Sequence, residues 1–245
     1  MKIVGVIPAR YKSSRFPGKP LADICGKPMI WWVYQEALKV KEFSEVVIAT
    51  EDERVKKICD ELNMNCMITS DIHPTGTDRV AEVANKIEAD FYVIIMGDEP
   101  LIKSKDEEVI IKEIYKNPLA DAVMLIEKFT NPVDVINTTT IKLAVNETGN
   151  LIFMSRTPIP YPKAELEYSY FKNVGCYAMK KDTLDFFLKT KPGRLERAEE
   201  IELLRLLENG KTVITVEINS KSMAVDTQKD LERIRKIISE QLERG

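Results

Sequence analysis

The sequence contains few of the residues that build metal or redox centres. It has four cysteines and one histidine, and no two cysteines form a Cys-x-x-Cys pair. A structural zinc site is usually completed by four sulfur or nitrogen ligands, so this composition argues against one. We therefore expect Cys25, Cys59, Cys66 and Cys176 to be reduced thiols packed within the fold.

The chain also lacks long hydrophobic runs and an excess of basic residues. No apolar stretch approaches the roughly 20 residues of a membrane span, and the N-terminus enters a strand pattern without the features of a signal peptide. The formal net charge is −3 and the isoelectric point is about 5.5, whereas nucleic-acid-binding domains typically carry a basic excess. These absences predict a cytoplasmic protein with no nucleic-acid partner and no membrane insertion.

Short apolar runs alternate with segments of helical periodicity through most of the chain. This alternation predicts a doubly wound α/β fold with a mostly parallel sheet covered by helices on both faces. A length of 245 residues suits one domain, residues 1–245. The expected strands of this sheet are residues 2–7, 46–49, 66–68, 92–95, 122–125 and 212–217. The expected helices are residues 29–39, 53–62, 78–86, 106–115, 197–209 and 228–242.

The rhythm changes within residues 128–180, where extended pieces are expected at 141–145, 151–154 and 173–179. These pieces predict an inserted antiparallel arm. Three prolines at 158, 160 and 162 remove backbone donors, so this part cannot lie at the centre of a sheet. We expect it to be an exposed apolar segment that contributes to a homodimer contact.

A basic loop follows the first predicted strand. The strand breaks at Pro8, and four cationic residues follow within one loop: Arg10, Lys12, Arg15 and Lys19. Cationic side chains and backbone donors together can hold a triphosphate. The spacing matches neither the Walker A loop nor the Gly-x-Gly-x-x-Gly fingerprint. The alternative is a solvated connection without a ligand.

Two aspartates occupy positions where ligands of α/β sheets bind. Asp98, in Met-Gly-Asp-Glu-Pro, follows the strand at 92–95, and Asp226 lies between a short apolar run and the last helix. Ligands of open α/β sheets bind beyond the carboxyl ends of the strands. The alternatives are a turn role for Asp98 and a helix cap at Asp226 or Thr227, completed by Asp230.

Residues 10–30, R-Y-K-S-S-R-F-P-G-K-P-L-A-D-I-C-G-K-P-M-I, resemble the N-terminus of the CMP-Kdo synthetases, also called 3-deoxy-manno-octulosonate cytidylyltransferases. The likeness continues in order through T-G-T-D-R, G-D-E-P, S-R, L-L-R-L-L-E-N-G and V-D-T-Q-K-D-L. It implies a fold of the nucleotide-diphospho-sugar transferase type, a homodimer, and an enzyme that activates 3-deoxy-manno-octulosonate (Kdo) with CTP and releases pyrophosphate.

The resemblance also implies a role for particular residues. Mg²⁺ would be held by Asp98 and Asp226, which with Arg10 and Lys19 form the implied catalytic set. The residues implied to contact CTP are Ala9, Arg10, Arg15, Lys19, Thr77 and Arg79. The residues implied to contact the acid acceptor are Met96, Arg156, Asn173, Tyr177, Glu199, Glu202 and Leu203. Asn137 and Lys142 also fall on the family pattern, although a solvated lysine is the ordinary outcome.

Alternatives stay open at several of these positions. Thr77 could be only a helix cap, and Arg156 only a surface arginine on an edge strand. Glu199 and Glu202 are expected one helical turn apart.

Three departures from the family pattern concern the acceptor. The family usually has glutamine, histidine and glutamine where this chain has Met96, Asn173 and Leu203. An acceptor such as an amino-Kdo, another ulosonic acid or a phosphonate is therefore an alternative substrate.

Two other classes of protein fit this sequence less well. An inert nucleotide-binding regulator should have lost an aspartate or the loop lysine, but the chain keeps Asp98, Asp226 and Lys19. A doubly wound oxidoreductase should carry the glycine fingerprint, which is absent after the first strand.

Overall fold

The computed structural model describes residues 1–12, 16–165, 167–220 and 222–243. Arg15, which was expected in the basic loop, lies outside the described residues. The strands are β1 (Ile3–Pro8), β2 (Asp23–Ile24), β3 (Lys27–Pro28), β4 (Phe43–Thr50), β5 (Cys66–Ile68), β6 (Phe91–Ile95), β7 (Ala122–Lys128), β8 (Lys142–Val145), β9 (Leu151–Ser155), β10 (Phe171–Lys180) and β11 (Val213–Glu217). The helices are α1 (Met29–Ala37), α2 (Glu53–Glu61), α3 (Gly76–Ala84), α4 (Ser104–Lys116), α5 (Pro132–Val135), α6 (Lys181–Lys189), α7 (Arg194–Glu199), α8 (Leu204–Glu208) and α9 (Gln228–Leu242).

Among the described residues, nine strands form one mixed sheet in the order β11-β7-β10-β6-β1-β4-β5, with β8 and β9 attached beside β10. Every residue of β1 is buried, because helices cover both faces of the sheet. One face packs against α1, α2 and α4 through Ile30, Val55 and Ile110, and the other against α3 and α6 through Val80 and Phe187. The predicted doubly wound α/β fold is confirmed.

Strand directions place several loops at one edge of the sheet. Strands β1, β4, β5 and β6 are parallel, so the segments after Pro8, Thr50, Ile68 and Ile95 emerge together. β10 runs antiparallel to β6 and pairs Cys176 with Ile95. Its first residues, starting at Phe171, therefore extend past the end of β6 toward the same edge.

The inserted segment differs in part from the expected arm. β8 and β9 form an antiparallel pair, but β10 lies inside the main sheet between β6 and β7. Residues 157–162 form no strand, and the Tyr161 side chain is 85% exposed. Among the described residues, no helix has the length and apolarity needed to cross a membrane.

The helix expected at 197–209 is two helices, α7 and α8. Glu200 adopts a left-handed conformation with φ of 53°, which ends α7 and turns the chain. Glu199 and Glu202 are consequently not one helical turn apart, and that expectation was wrong. Glu196 and Arg205 form a buried ion pair that joins the two helices.

Helix α1 begins at Met29 as expected, with Pro28 as its N-cap. Helix α6, which follows β10 directly, was not expected. All four cysteines are free. Cys59 and Cys176 are buried as expected, but Cys25 is exposed and Cys66 is partly exposed.

Candidate active site

Lys19 lies between the carboxylates of Asp98 and Asp226, at the edge of the sheet where the parallel strands end. It begins a single 3₁₀ turn after Gly18, whose φ of 73° lets the loop reverse. The Lys19 ammonium donates to Asp98 Oδ2 at 2.5 Å and to the carbonyl of Val225 at 2.8 Å, and it lies 3.9 Å from Asp226 Oδ1. The structure thus brings together the loop lysine and both aspartates, which are far apart in sequence.

The cap at the start of α9 explains how Asp226 faces this point. Thr227 is the N-cap, and its hydroxyl and the Asp230 carboxylate form a capping box. The chain therefore needs no cap from Asp226, whose carboxylate approaches Lys19 instead.

The donor set at this point fits a divalent ion that arrives with a polyphosphate. Mg²⁺ takes hard oxygen ligands, commonly one or two carboxylates together with substrate phosphates. Asp98 and Asp226 supply two carboxylates that converge on one cationic atom. Within the part of the chain that the structure describes, no group of three or more His, Cys, Asp or Glu side chains could hold a metal.

The loop after β1 is bonded to the end of β4, in part through Glu51, a residue that the sequence motifs did not single out. Ala9 is buried, and its amide donates to the carbonyl of Ala49 at 2.8 Å. The Glu51 carboxylate accepts from the amides of Tyr11 and Lys12 at 3.1 and 3.4 Å. Glu51 directly follows a buried parallel strand, which is the same signal that singled out Asp98.

Arg10 and Arg79 have very different surroundings. Arg10 is exposed, and its Nη1 donates to the carbonyl of Pro74 at 3.0 Å. Arg79 is only 1% exposed; its Nη1 donates to Thr69 Oγ1, and its Nη2 pairs with Glu51 Oε2 at 3.0 Å. Burial lowers the pKa of Arg79, against the effect of the Glu51 charge. Arg79 therefore stabilises the loop after β1 through Glu51, and its contact with CTP stays a prediction.

Thr77 joins residues expected on the nucleotide and acceptor sides. The N-cap of α3 is Thr75, not Thr77. The Thr77 amide donates to Glu202 Oε2 at 3.2 Å, and its hydroxyl lies 3.0 Å from the Tyr177 hydroxyl. Burial raises the pKa of both Glu202 and Tyr177. These three expected site residues form one hydrogen-bonded cluster.

Arg156 and Glu199 bind segments of the chain to each other. The Arg156 Nε donates to the carbonyl of Glu199 at 2.6 Å, and Nη1 and Nη2 donate to the carbonyls of Thr138 and Glu200. The Glu199 carboxylate accepts from Ser155 Oγ at 2.7 Å and from the Arg156 amide at 3.0 Å. Both side chains are half-buried and already bonded within the chain, and their contact with an acceptor stays a prediction.

Lys142 is fully buried rather than solvated. Its ammonium donates to the carbonyls of Asn137, Thr140 and Arg156. Burial lowers the pKa of Lys142, and the nearby Arg156 charge acts in the same direction. Lys142 therefore fixes the loop 137–140, which lines the cleft described next.

A cleft of about 860 Å³ extends from Asp226 along β10. Asn173 and Lys172 lie in its wall, together with Asn137. Leu203 is buried in the core, and Met96 is partly buried against the same core with its amide bonded to the Gly175 carbonyl. Of the three positions that depart from the family pattern, Asn173 lines this cleft and Met96 and Leu203 do not, so the acceptor contact expected of Met96 and Leu203 stays a prediction.

The profile of the family described as Cytidylyltransferase matches residues 4–214. The 3-deoxy-manno-octulosonate cytidylyltransferase of Escherichia coli is 39% identical over 98% of each chain, and that of Geobacter sulfurreducens is 38% identical over 96% of this chain and 98% of the relative.

Two solved structures superpose on this chain, one at high and one at low sequence identity. The structure of CMP:2-keto-3-deoxy-manno-octonic acid synthetase complexed with CTP superposes with a TM-score of 0.94 at 38% identity, covering 98% of this chain and all of that one. A putative glucose-1-phosphate thymidylyltransferase from Bacillus anthracis superposes with a TM-score of 0.68 at 16% identity. The second likeness shows a shared fold alone.

Proposed function

Because this chain belongs to the cytidylyltransferase family, and within it to the 3-deoxy-manno-octulosonate cytidylyltransferases, we propose that it activates Kdo with CTP. The anomeric hydroxyl of the sugar attacks the α-phosphorus of CTP and loses its proton. The bond from that phosphorus to the bridging oxygen breaks, and pyrophosphate leaves. The observation that carries this assignment is the Lys19 ammonium held between Asp98 and Asp226 at the end of the cleft.

The basic loop provides the groups that bind the triphosphate. Arg10 is exposed, and its bond to the Pro74 carbonyl occupies one of the five N–H donors of its guanidinium. Lys19 lies deeper, beside both carboxylates. Cationic groups placed where charge develops stabilise a departing pyrophosphate more strongly than the ground state. We assign Arg10 and Lys19 to the phosphates, with Lys19 closest to the reacting centre.

We further propose that the metal is magnesium. Asp98 and Asp226 would hold it together with phosphate oxygens, and the ion when bound would neutralise phosphate charge and favour ionisation of the attacking hydroxyl. The two carboxylates are already gathered by Lys19, so little rearrangement of the backbone is needed.

The proposed activity is tested by measuring pyrophosphate release with purified protein. Reactions contain CTP and Kdo with magnesium, and matched reactions replace CTP by UTP or ATP, or replace magnesium by a chelator. We expect release that requires CTP, Kdo and the metal together. Release that is independent of Kdo, or absent with every acceptor, would contradict the proposed function.

A different acid acceptor remains the second candidate, and one observation favours it. Asn173 stands in the cleft wall at the position where the resembled family has histidine. Amino-Kdo, another ulosonic acid or a phosphonate would be acceptors of this kind. The panel of acceptors described in the Discussion separates them.

The assembly and compartment belong to this proposal as well. We propose a homodimer that uses the surface of residues 128–180, where Val133, Ile136, Ile152 and Tyr161 expose large apolar side chains. We also propose a cytoplasmic location, because all four cysteines are free and thiols persist in reducing compartments.

A further inference from the structure

The loop that carries Asp226 is fastened at three described points. Ser220 Oγ donates to Asp106 Oδ2 at 3.0 Å, and Ser222 Oγ donates to the Glu99 carboxylate. The Val225 amide donates to the Asp98 carbonyl at 2.9 Å. The first two bonds involve buried carboxylates, so the position of the loop depends on side chains as well as on the backbone.

Glu99 occupies a gap that β10 leaves for it. The register between β10 and β7 shifts between Asn173 and Tyr177, which releases the Gly175 amide from that ladder. Gly175 directs its carbonyl to the Met96 amide at 2.8 Å, and the Glu99 carboxylate packs directly against the Gly175 backbone. A Cβ at position 175 would lie only 2.3 Å from Glu99 Oε1, so glycine is required for the carboxylate to enter.

One carboxylate therefore joins three segments. Glu99 itself follows β6, Gly175 belongs to β10, and Ser222 precedes Asp226 in the chain. Glu99 is only 8% exposed. The Glu99 carboxylate has two oxygens: Oε2 accepts from the Ser222 hydroxyl, and Oε1 lies against Gly175.

From this geometry we infer that Glu99 is a positioning residue that clamps the loop through Ser222, so that Asp226 faces Asp98 across Lys19. The inference rests on the proposed function for its consequence, because the aspartates matter only if they bind the metal. Asp98 is the neighbour of Glu99 in sequence, and Asp226 is four residues beyond Ser222. Breaking the hydrogen bond between Ser222 and Glu99 should therefore make the distance between Asp98 and Asp226 more variable. Both metal-binding side chains are retained in such a variant.

The test removes the Ser222 hydroxyl and follows two quantities. Ser222→Ala should raise the magnesium concentration that gives half-maximal pyrophosphate release by about tenfold, while KM for CTP at saturating magnesium changes by less than about twofold. Ser222→Thr keeps a hydroxyl and should return the magnesium requirement to within about threefold of the original. Amide hydrogen exchange of residues 222–227 in the free protein should be faster in Ser222→Ala, because the Val225 amide loses support.

Two further variants guard the interpretation. Glu99→Gln keeps the shape of the side chain and one acceptor oxygen. We therefore expect it to fold and to have a magnesium requirement between those of the unaltered protein and Ser222→Ala. Ser44→Ala removes a hydroxyl that donates to the Ile3 carbonyl at 3.0 Å, at the opposite end of the sheet from the cleft. This matched serine change should alter neither quantity.

The outcomes are distinct. Faster exchange together with a raised magnesium requirement supports the clamp. Faster exchange with an unchanged magnesium requirement, or no change in exchange, overturns it. If the unaltered protein releases no pyrophosphate with any acceptor, the proposed function fails instead, and exchange of residues 222–227 in the free protein still decides whether Glu99 and Ser222 hold the loop.

Discussion

The ammonium of Lys19 balances two carboxylates and a backbone carbonyl within one small volume. Lys19→Ala removes this charge and the contact to the leaving phosphates. We expect kcat/KM for CTP to fall by an amount equivalent to about 2–4 kcal/mol, because a cationic contact strengthens as charge develops. The measurement is steady-state pyrophosphate release, with the exposed Lys41→Ala as the matched control. An unchanged kcat/KM would make Lys19 an ordinary loop residue.

The two aspartates carry the metal assignment. Asp98→Asn and Asp226→Asn each replace a charged ligand with a neutral one of the same shape, so turnover should fall at least ~100-fold. Turnover is measured over a range of magnesium concentrations, with Asp60→Asn on the exposed side of α2 as the control. Turnover like that of the unaltered protein at saturating magnesium, in either variant, argues that the metal binds elsewhere.

Acceptor selectivity can be tested at Asn173. A site that loses a hydrogen-bonding group loses discrimination for the hydroxyl it would have contacted, at roughly 1–3 kcal/mol for each unpaired group. The second candidate function, a different acid acceptor, predicts that an amino-sugar acid or a phosphonate is used with a higher kcat/KM than Kdo, and that Asn173→His raises kcat/KM with Kdo. The triple change Met96→Gln, Asn173→His and Leu203→Gln should add little, because Leu203 lies in the core.

The comparison across acceptors decides this question. If Kdo is the best substrate and neither the single nor the triple change improves its use, the altered-acceptor idea is wrong. The plain family activity then remains.

Helix α4 carries an acid in the core. Glu107 is fully buried, neither carboxylate oxygen has a hydrogen-bond partner, and burial followed by the Glu36 charge raises its pKa to about 9. The folded state therefore holds a proton that the unfolded chain releases above the ordinary pKa near 4.5. Stability should be greatest below pH 4.5 as far as this group is concerned, and should be lost as pH rises toward 9.

Chemical denaturation at pH 6 and pH 8 measures this effect. We expect Glu107→Met to be more stabilising, or less destabilising, at pH 8 than at pH 6, by up to about 1.4 kcal/mol for each pH unit. Glu113→Met on the same helix is the control, because its carboxylate has partners in Lys116 and Asn117. A Glu107 variant whose difference from the parent does not change with pH would contradict a buried, protonated acid.

The break between α7 and α8 predicts an unusual response to glycine. Glu200 has a φ of 53°, which costs a side chain roughly 1 kcal/mol that glycine does not incur. Glu200→Gly should therefore keep or raise the free energy of unfolding, by up to about 1 kcal/mol. Glu232→Gly, in the middle of α9, should lower it by about 1 kcal/mol. Equal losses in both variants would show that the backbone of Glu200 is not strained.

Local sequence patterns predicted some elements closely and missed others for a physical reason. The bounds of β5 and α9 follow from apolar alternation and from the cap at Thr227. The α7–α8 break does not, because apolar residues continue at helical spacing across it, at Leu195, Ala198, Ile201 and Leu204. Contacts from distant residues set the turn there: Arg156 binds the carbonyls of Glu199 and Glu200, and the Thr77 amide binds Glu202.

The candidate site likewise has features that the sequence predicted and features that it did not. The meeting of Lys19, Asp98 and Asp226 was predictable because residues that follow parallel strands share one edge of the sheet. The burial of Arg79 and Leu203 and the bond from Arg156 to the Glu199 carbonyl were not, because a motif does not show whether a side chain points into a cleft or into the interior. Burial decides that, and burial depends on the complete fold.

At the scale of the whole molecule, the exposed apolar surface of residues 128–180 predicts self-association. Light scattering at micromolar concentration should give the mass of a dimer. Tyr161→Glu places a charge on an 85% exposed side chain of this surface and should shift the mass toward the monomer. Leu119→Glu, at an 87% exposed position elsewhere, should leave the dimer intact. A monomer mass for the unaltered protein would remove the proposed dimer.

The place of β10 in the sheet constrains the order in which the polypeptide can be completed during synthesis. β6 and β7 are both finished before residue 130, yet each needs β10, Phe171–Lys180, as a neighbour. Until that strand leaves the ribosome, two apolar strands have open edges that can pair with other chains. Fragments that end before residue 170 should therefore aggregate, and nascent chains of this protein should depend on chaperones most strongly while residues 130–180 are being made.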